Sequence, residues 1–214
     1  MGLTANVVGA TGLVGQQIVK QLLNYKEYDK VRIFVRKSTG IEHPKLEEHV
    51  IDFGQPAIWA SLVTGDVLFS ALGTTIKVAK TKDNQYLVDY TYQFDFAKAA
   101  AKNGVPCYVL VSSMGADSTS SVFYSKMKGK LEDAVVMLDF KRILIFRPSI
   151  LDGDRKEKRP GERAALRLSK IITLFIFKSY TPTPVDLLAE RMIANSLDSI
   201  DGYRIFEGPG IFTK

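Results

Sequence analysis

Tyr124 and Lys128 stand four residues apart in "YSKMK", and a serine pair, Ser112 and Ser113, precedes them in "SSMG". On a helix, that spacing puts two side chains on one face. A phenol with a pKa of about 10 is a poor proton donor or acceptor at neutral pH until a neighbouring ammonium stabilises the phenolate. A serine can hydrogen-bond a carbonyl as negative charge develops on it. The chemistry suggested is proton transfer at a carbonyl or alcohol oxygen. Both residue types are common, and Lys126 and Lys130 lie alongside, so a solvated basic helix face is the competing reading.

A second set lies near the start of the chain. "GATGLVGQQIV" spaces Gly9, Gly12 and Gly15 evenly between an apolar run and a helical pattern. Gly9 would permit a tight turn, Gly12 the close approach of a pyrophosphate, and Gly15 close packing of helix on strand, while the helix N-terminus offers unpaired N–H groups. A glycine-rich turn that binds nothing is the alternative. After the second apolar run comes "FVRKST", with Arg36 and Lys37 where a carboxylate would select NAD. A guanidinium there suits the 2'-phosphate of NADP(H), unless the two cations only solvate a loop. Asp52 and Phe53, after the third run, could flank an adenine, or the aspartate could cap the strand end.

These residues need a scaffold that gathers them at one edge. Short apolar runs alternate with helical patterns, the signature of βαβ units and a parallel sheet. "ANVVGA", "KVRIFVR", "EHVIDF", "DVLFSALG", "PCYVLVSS" and "KRILIFRP" read as strands. Helices are predicted over "GQQIVKQLLNY", about residues 84–102, and "YSKMKGKLEDAVVML". After Pro148 the pattern changes: a polar loop "LDGDRKEKRPGE", a helix over "RAALRLSKIITLFIFKSY" (163–180), a helix over "VDLLAERMIANSL" and a closing strand "GYRIFEG". The fold class is α/β, a doubly wound, mainly parallel Rossmann sheet. Residues 1–214 are expected to form a single domain, with 149–214 as a small C-terminal helical elaboration on the substrate side.

Composition removes several function classes. The 214 residues carry a net charge of +6, yet no dense basic block has interleaved aromatics and no recognition-helix or zinc pattern occurs, so no nucleic-acid partner is expected. The lone cysteine, Cys107, rules out a disulfide framework, and His43 and His49 are not at ligand spacing, so no metal is expected. With no secretory leader or spanning segment read from the sequence, a cytoplasmic location is expected. The apolar and basic stretch 163–180 could pack on the sheet, form a homodimer contact or lie on a membrane surface.

Taken in order, "GATGLVG", "RK", "DF", "LGTT", "SSMGAD", Tyr124 with Lys128, and "FRPSILDGDR" followed by "RPGE" resemble the short-chain dehydrogenase/reductase superfamily. The match is closest to atypical members of the group of the human Tat-interacting oxidoreductase-like protein. The resemblance implies about seven strands, bound NADP(H) and reduction of a carbonyl or oxidation of an alcohol in a small-molecule substrate. By position, Ser113 would orient the carbonyl, Tyr124 would pass the proton, and Lys128 would hold the nicotinamide ribose and tune the tyrosine. Ser112, Tyr124 and Lys128 would also border the cofactor. Gly9, Thr11, Gly12, Leu13, Val14 and Gly15 would line the pyrophosphate, Arg36 and Lys37 the 2'-phosphate, Leu72, Gly73 and Thr74 the ribose, and Pro148 and Ser149 the nicotinamide. Two departures stand out: Asp89 replaces the superfamily's usual asparagine, and "TTIKVAKTKDN" is lysine-rich, which favours an anionic substrate. An NADPH-binding interaction module with little turnover is the rival expectation.

Overall fold

The computed structural model describes residues 2–152 and 182–213. Seven strands form one sheet in the order β3-β2-β1-β4-β5-β6-β9, every neighbouring pair parallel. They are β1 (Leu3–Val8), β2 (Tyr28–Val35), β3 (Leu46–Val50), β4 (Val67–Ser70), β5 (Cys107–Val111), β6 (Arg142–Arg147) and β9 (Gly202–Glu207). The order reverses between β1 and β4, so the connections leaving these two strands diverge and open a crevice at their carboxyl ends. This is the Rossmann arrangement expected from the alternation.

The central strands read as continuous apolar runs because both faces are covered. On β5, Cys107, Val109 and Val111 enter one core cluster, while Tyr108 and Leu110 enter the other. The first cluster is closed by helices α1 (Leu13–Leu22) and α7 (Val185–Ser196), through Val14, Ile18, Leu188 and Met192. The second is closed by α5 (Tyr92–Lys102) and α6 (Phe123–Val136), through Phe96, Ala97, Leu131 and Val135. Trp59 ends the short helix α2 (Pro56–Trp59), is fully buried and stacks on Phe96 with ring centroids 4.0 Å apart. Burying a large apolar side chain of this kind contributes about 1.5–3 kcal/mol.

Three elements were not foreseen. The helix predicted over 84–102 is composite: α4 (Lys82–Tyr86), a π-helical turn (Leu87–Thr91), then α5. The side-chain amide of Gln93 donates to the Asp89 carbonyl at 2.6 Å, an interaction that helps keep the widened turn open. A one-turn helix, α3 (Ile76–Ala79), precedes α4 and ends at Lys80, whose φ of 70° is rare for a residue with a side chain. Finally β7 (Leu151–Asp152) and β8 (Thr183–Pro184) form a two-residue parallel pair. Beyond Asp152, the predicted polar loop and the helix over 163–180 lie outside the described residues, and with them the membrane or dimer contact assigned to that stretch. Among the described residues, no helix is long and apolar enough to cross a membrane.

Candidate functional site

The glycine segment turns between β1 and α1 much as its spacing predicts. Gly9 has φ +84°, and a Cβ there would fall 2.4 Å from the Ala71 carbonyl carbon at the end of β4. A Cβ on Gly15 would lie 2.1 Å from the Gly9 oxygen, so the helix can approach the strand only without a side chain at that position. The Gly12 amide donates to Gly9 O at 2.9 Å and closes the turn. Helix α1 starts at Gly12 with no capping side chain and no acidic residue in its first turn. Its N-terminal N–H groups and partial positive charge are therefore available to an anion. Leu13 follows the turn, and Val14 is buried in the core.

A cavity of about 440 Å³ opens beside this turn. Eight of the candidate cofactor residues line it: Gly9, Thr11, Gly12, Arg36, Phe53, Leu72, Gly73 and Thr74. An uncapped helix N-terminus, backbone exposed at glycines, one guanidinium and apolar walls suit a dinucleotide carrying phosphates and a flat base. Sequence reading missed Val78, Ala79, Asn84, Leu87, Val88 and Tyr92, which complete the wall from α3, α4, the π turn and α5. The available signal was a repeated helix-start pattern: Thr75 Oγ1 accepts from Val78 N at 3.4 Å, and Thr81 Oγ1 accepts from Asn84 N at 3.1 Å. Lys37 is exposed and is not part of the cavity lining. Asp52 has both oxygens engaged by its own turn, accepting from Gly54 N at 2.9 Å and Gln55 Nε2 at 2.8 Å. It therefore acts as the strand-end cap, and these bonds hold its carboxyl below the ordinary range.

On α6, the Lys128 ammonium lies 6.0 Å from the centroid of the Tyr124 ring. Tyr124 is 38% exposed, whereas Lys128 is only 2% exposed, so the phenol faces solvent above a buried cation. Opposite Lys128, Asp89 Oδ1 stands 3.3 Å from Nζ, and its Oδ2 accepts from Thr74 N at 2.8 Å. The 3.3 Å contact is an ion pair off ideal alignment, and among the described residues Oδ1 has no better-aligned partner than this ammonium. Burial pushes the Asp89 carboxyl up, against the Lys128 charge and the Thr74 N–H. Burial opposes the lysine's charge too, but Tyr124, Asp89 and Glu132 hold its proton affinity above the ordinary range. The carboxylates of Asp89 and Glu132 beside the lysine, and the single ammonium beside the aspartate, favour the charged form of the pair.

The two serines diverge. Ser112 is buried and its hydroxyl donates to Glu132 on α6. Glu132 is also clamped by Arg147, whose Nε lies 3.1 Å from each carboxylate oxygen, and Arg147 reaches Glu207 on β9 at 3.4 Å. Ser113 is only half-buried, and its hydroxyl makes a long 3.4 Å contact to Met114 O. The following loop is tied to α6 by Asp117 N donating to Ser125 O at 3.1 Å. Pro148 O accepts from Met114 N at 3.0 Å, and Ser149 Oγ lies 3.0 Å from Thr183 Oγ1, at the junction with β8.

The geometry agrees with the likenesses to known proteins. A family described as NAD(P)H-binding matches residues 9–141. "Protein fmp52, mitochondrial" of Aspergillus clavatus is 35% identical over 215 residues, covering 92% of this chain and 89% of the relative. The enzyme WbmH of Bordetella bronchiseptica, solved in complex with NAD+, shares the fold with a TM-score of 0.74 at 20% identity, over 97% of this chain and 76% of that one. A short-chain dehydrogenase/reductase superfamily protein from Agrobacterium tumefaciens with bound NAD gives 0.73 at 16% identity, over 96% and 77%. Two expectations change. The NAD(P)H-binding family is borne out, but the narrower resemblance to the Tat-interacting group is not, since the relatives compared carry the fmp52 name. The cytoplasmic location is overturned, because those relatives are named mitochondrial proteins. A lone buried cysteine argues against a disulfide framework but does not separate one reducing compartment from another.

Proposed function

The chain belongs to the NAD(P)H-binding family, and on that premise we propose that it is an NADP(H)-dependent oxidoreductase of the short-chain dehydrogenase/reductase type. It interconverts a carbonyl and an alcohol in a small-molecule substrate and works in mitochondria. The observation that carries the reading is the buried Lys128 ammonium beneath the half-exposed Tyr124 ring, on the helix that follows the strand-end serines.

Bound NADPH supplies the hydride. The chain's own residues manage the oxygen and its proton. Ser113 donates a hydrogen bond to the substrate carbonyl, and Tyr124 delivers the proton to that oxygen as charge develops. Lys128 stabilises the phenolate left behind and hydrogen-bonds the cofactor's ribose. Ser112 has a structural part in this scheme, since its hydroxyl is committed to Glu132. Arg36, exposed at the rim of the cavity, binds the 2'-phosphate, with Lys37 adding charge from outside. Of the described C-terminal residues, 149–152 and 182–184 border the substrate side, while α7 and β9 complete the core and the sheet.

The test is a parallel titration with NADPH and NADH, then turnover of a carbonyl panel by the wild type and Tyr124→Phe. Expected are tighter NADPH binding, measurable reduction, and loss of turnover in Tyr124→Phe with cofactor affinity nearly intact. Equal activity in that variant removes Tyr124 from the mechanism. NADPH binding without turnover of any carbonyl points to a regulatory, cofactor-sensing module instead.

A further inference from the structure

We propose that Asp89 is a positioning residue: one buried carboxylate couples the turn after β4 to the ammonium of Lys128. The proposal rests on the cofactor reading above, in which residues 72–74 and Lys128 border the same ribose. Asp89 is 1% exposed, and its two oxygens serve two different elements. Oδ2 accepts from the Thr74 amide at 2.8 Å, and Oδ1 faces Lys128 Nζ at 3.3 Å. Gly73 adjoins the carboxylate without steric conflict, since a Cβ there would meet Asp89 Oδ1 at an ordinary contact distance of 3.4 Å.

The backbone beneath Asp89 is also fixed. Gln93 Nε2 donates to the Asp89 carbonyl at 2.6 Å, and Ser70 Oγ at the end of β4 donates to Gln93 Oε1 at 2.9 Å. Ser70 and Gln93 are both fully buried. The π turn is thus anchored to the strand from which residues 71–74 emerge, and the carboxylate is held in place by groups that have little freedom to shift. An asparagine in the same place could accept from Thr74 N but would offer Lys128 no counter-charge. The acid therefore does something an amide cannot: it holds the lysine in its charged form at a fixed distance from the turn. Among the described residues, the titratable groups that face Lys128 are Tyr124 and Glu132 from α6 and Asp89 from the π turn.

The experiment titrates the full chain with NADPH, followed by nucleotide fluorescence, from about pH 7 to pH 10, for the wild type, Asp89→Asn and Asp89→Ala. At pH 7, Asp89→Asn should bind within about threefold of wild type because the acceptor for Thr74 N survives, whereas Asp89→Ala should lose about tenfold or more. As pH rises, affinity should decline at lower pH in Asp89→Asn than in the wild type, since Lys128 without the facing carboxylate releases its proton sooner. A merely structural Asp89 would weaken binding without moving that profile. Superimposable profiles, or equal losses in the two variants, overturn the proposal.

A wild type that binds no NADPH at any pH overturns the cofactor reading instead. The brace is then judged from melting temperatures of Asp89→Asn, Lys128→Gln and the double variant, which also covers an Asp89→Asn protein that fails to fold. A double variant more stable than Asp89→Asn alone supports the coupling, because it removes an unpaired buried charge. Strictly additive losses overturn it.

Discussion

A Cβ on Gly129 would fall 2.1 Å from the Ser118 amide nitrogen, so α6 touches the loop after the strand-end serines backbone to backbone. This glycine sits mid-helix between Lys128 and Lys130. Alanine is intrinsically the better helix former by about 1 kcal/mol, which would favour Gly129→Ala were the site open. The clash is with main chain, which cannot rotate away, so Gly129→Ala should destabilise by about 1–3 kcal/mol. A denaturant midpoint that rose would show that the loop yields freely.

Gly9→Ala combines two faults, a φ of +84° and a Cβ 2.4 Å from the Ala71 carbonyl carbon. It should cost about 1–3 kcal/mol of stability and displace the turn after β4 along with the glycine turn. NADPH affinity is expected to fall about tenfold or more, measured by calorimetric titration on protein that is still folded. Retained affinity would separate the turn from the cofactor.

Arg36→Ala should weaken NADPH about tenfold while leaving NADH nearly unchanged, because only the former carries the phosphate that a guanidinium can bind. Equal losses for both nucleotides would mean that Arg36 contributes a general cavity wall and not discrimination.

Lys77 and Lys80 flank the exposed Val78 on α3, and the unusual backbone at Lys80 fixes the direction of the turn there. Replacing both lysines by glutamine should raise KM for carbonyl substrates that bear a carboxylate or phosphate and spare neutral ones. A uniform change across both classes would dismiss the preference for anions.

Burial pushes the Cys107 thiol from 9.0 up to about 11, against the partly compensating charges of Arg142 and Arg204. Because the folded state holds this proton more tightly than the unfolded one, its stabilising contribution is complete below the unfolded pKa and is lost as pH rises through the folded pKa. Unfolding free energy should therefore fall from about pH 9 to pH 11, by about 2–3 kcal/mol from this group. Cys107→Ser chemical denaturation curves should lack that part of the slope. In the native protein at pH 8, a thiol reagent should label Cys107 only through unfolding.

The sheet was legible because burial on both faces leaves unbroken apolar runs between helical patterns, and the glycine turn because steric exclusion leaves few alternatives. The two serines could have been told apart in the same way. Side chains alternate along a strand, and Ser112 continues the parity of Tyr108 and Leu110, which face the α5 and α6 layer; Ser113 therefore faces away from Glu132. The π turn was not legible, since it depends on Gln93 finding Asp89 and Ser70 in the folded core, a relationship with no local sequence pattern. The wall from α3 and α4 was marked only by its two threonine helix starts, since its exposed apolar residue Val78 carries no burial periodicity.

The edge position of β9 has a consequence for biosynthesis. Ile143–Phe146 of β6 are buried, and among the described residues their outer backbone edge is covered by parallel pairing with Tyr203–Phe206. A chain emerging from the ribosome completes β6 long before β9 exists, and parallel pairing across so long a separation is slow. In that interval an apolar strand edge is open to other chains. Nascent chains stalled between residues 148 and 202 should therefore be markedly more dependent on chaperones than chains released after β9 has docked.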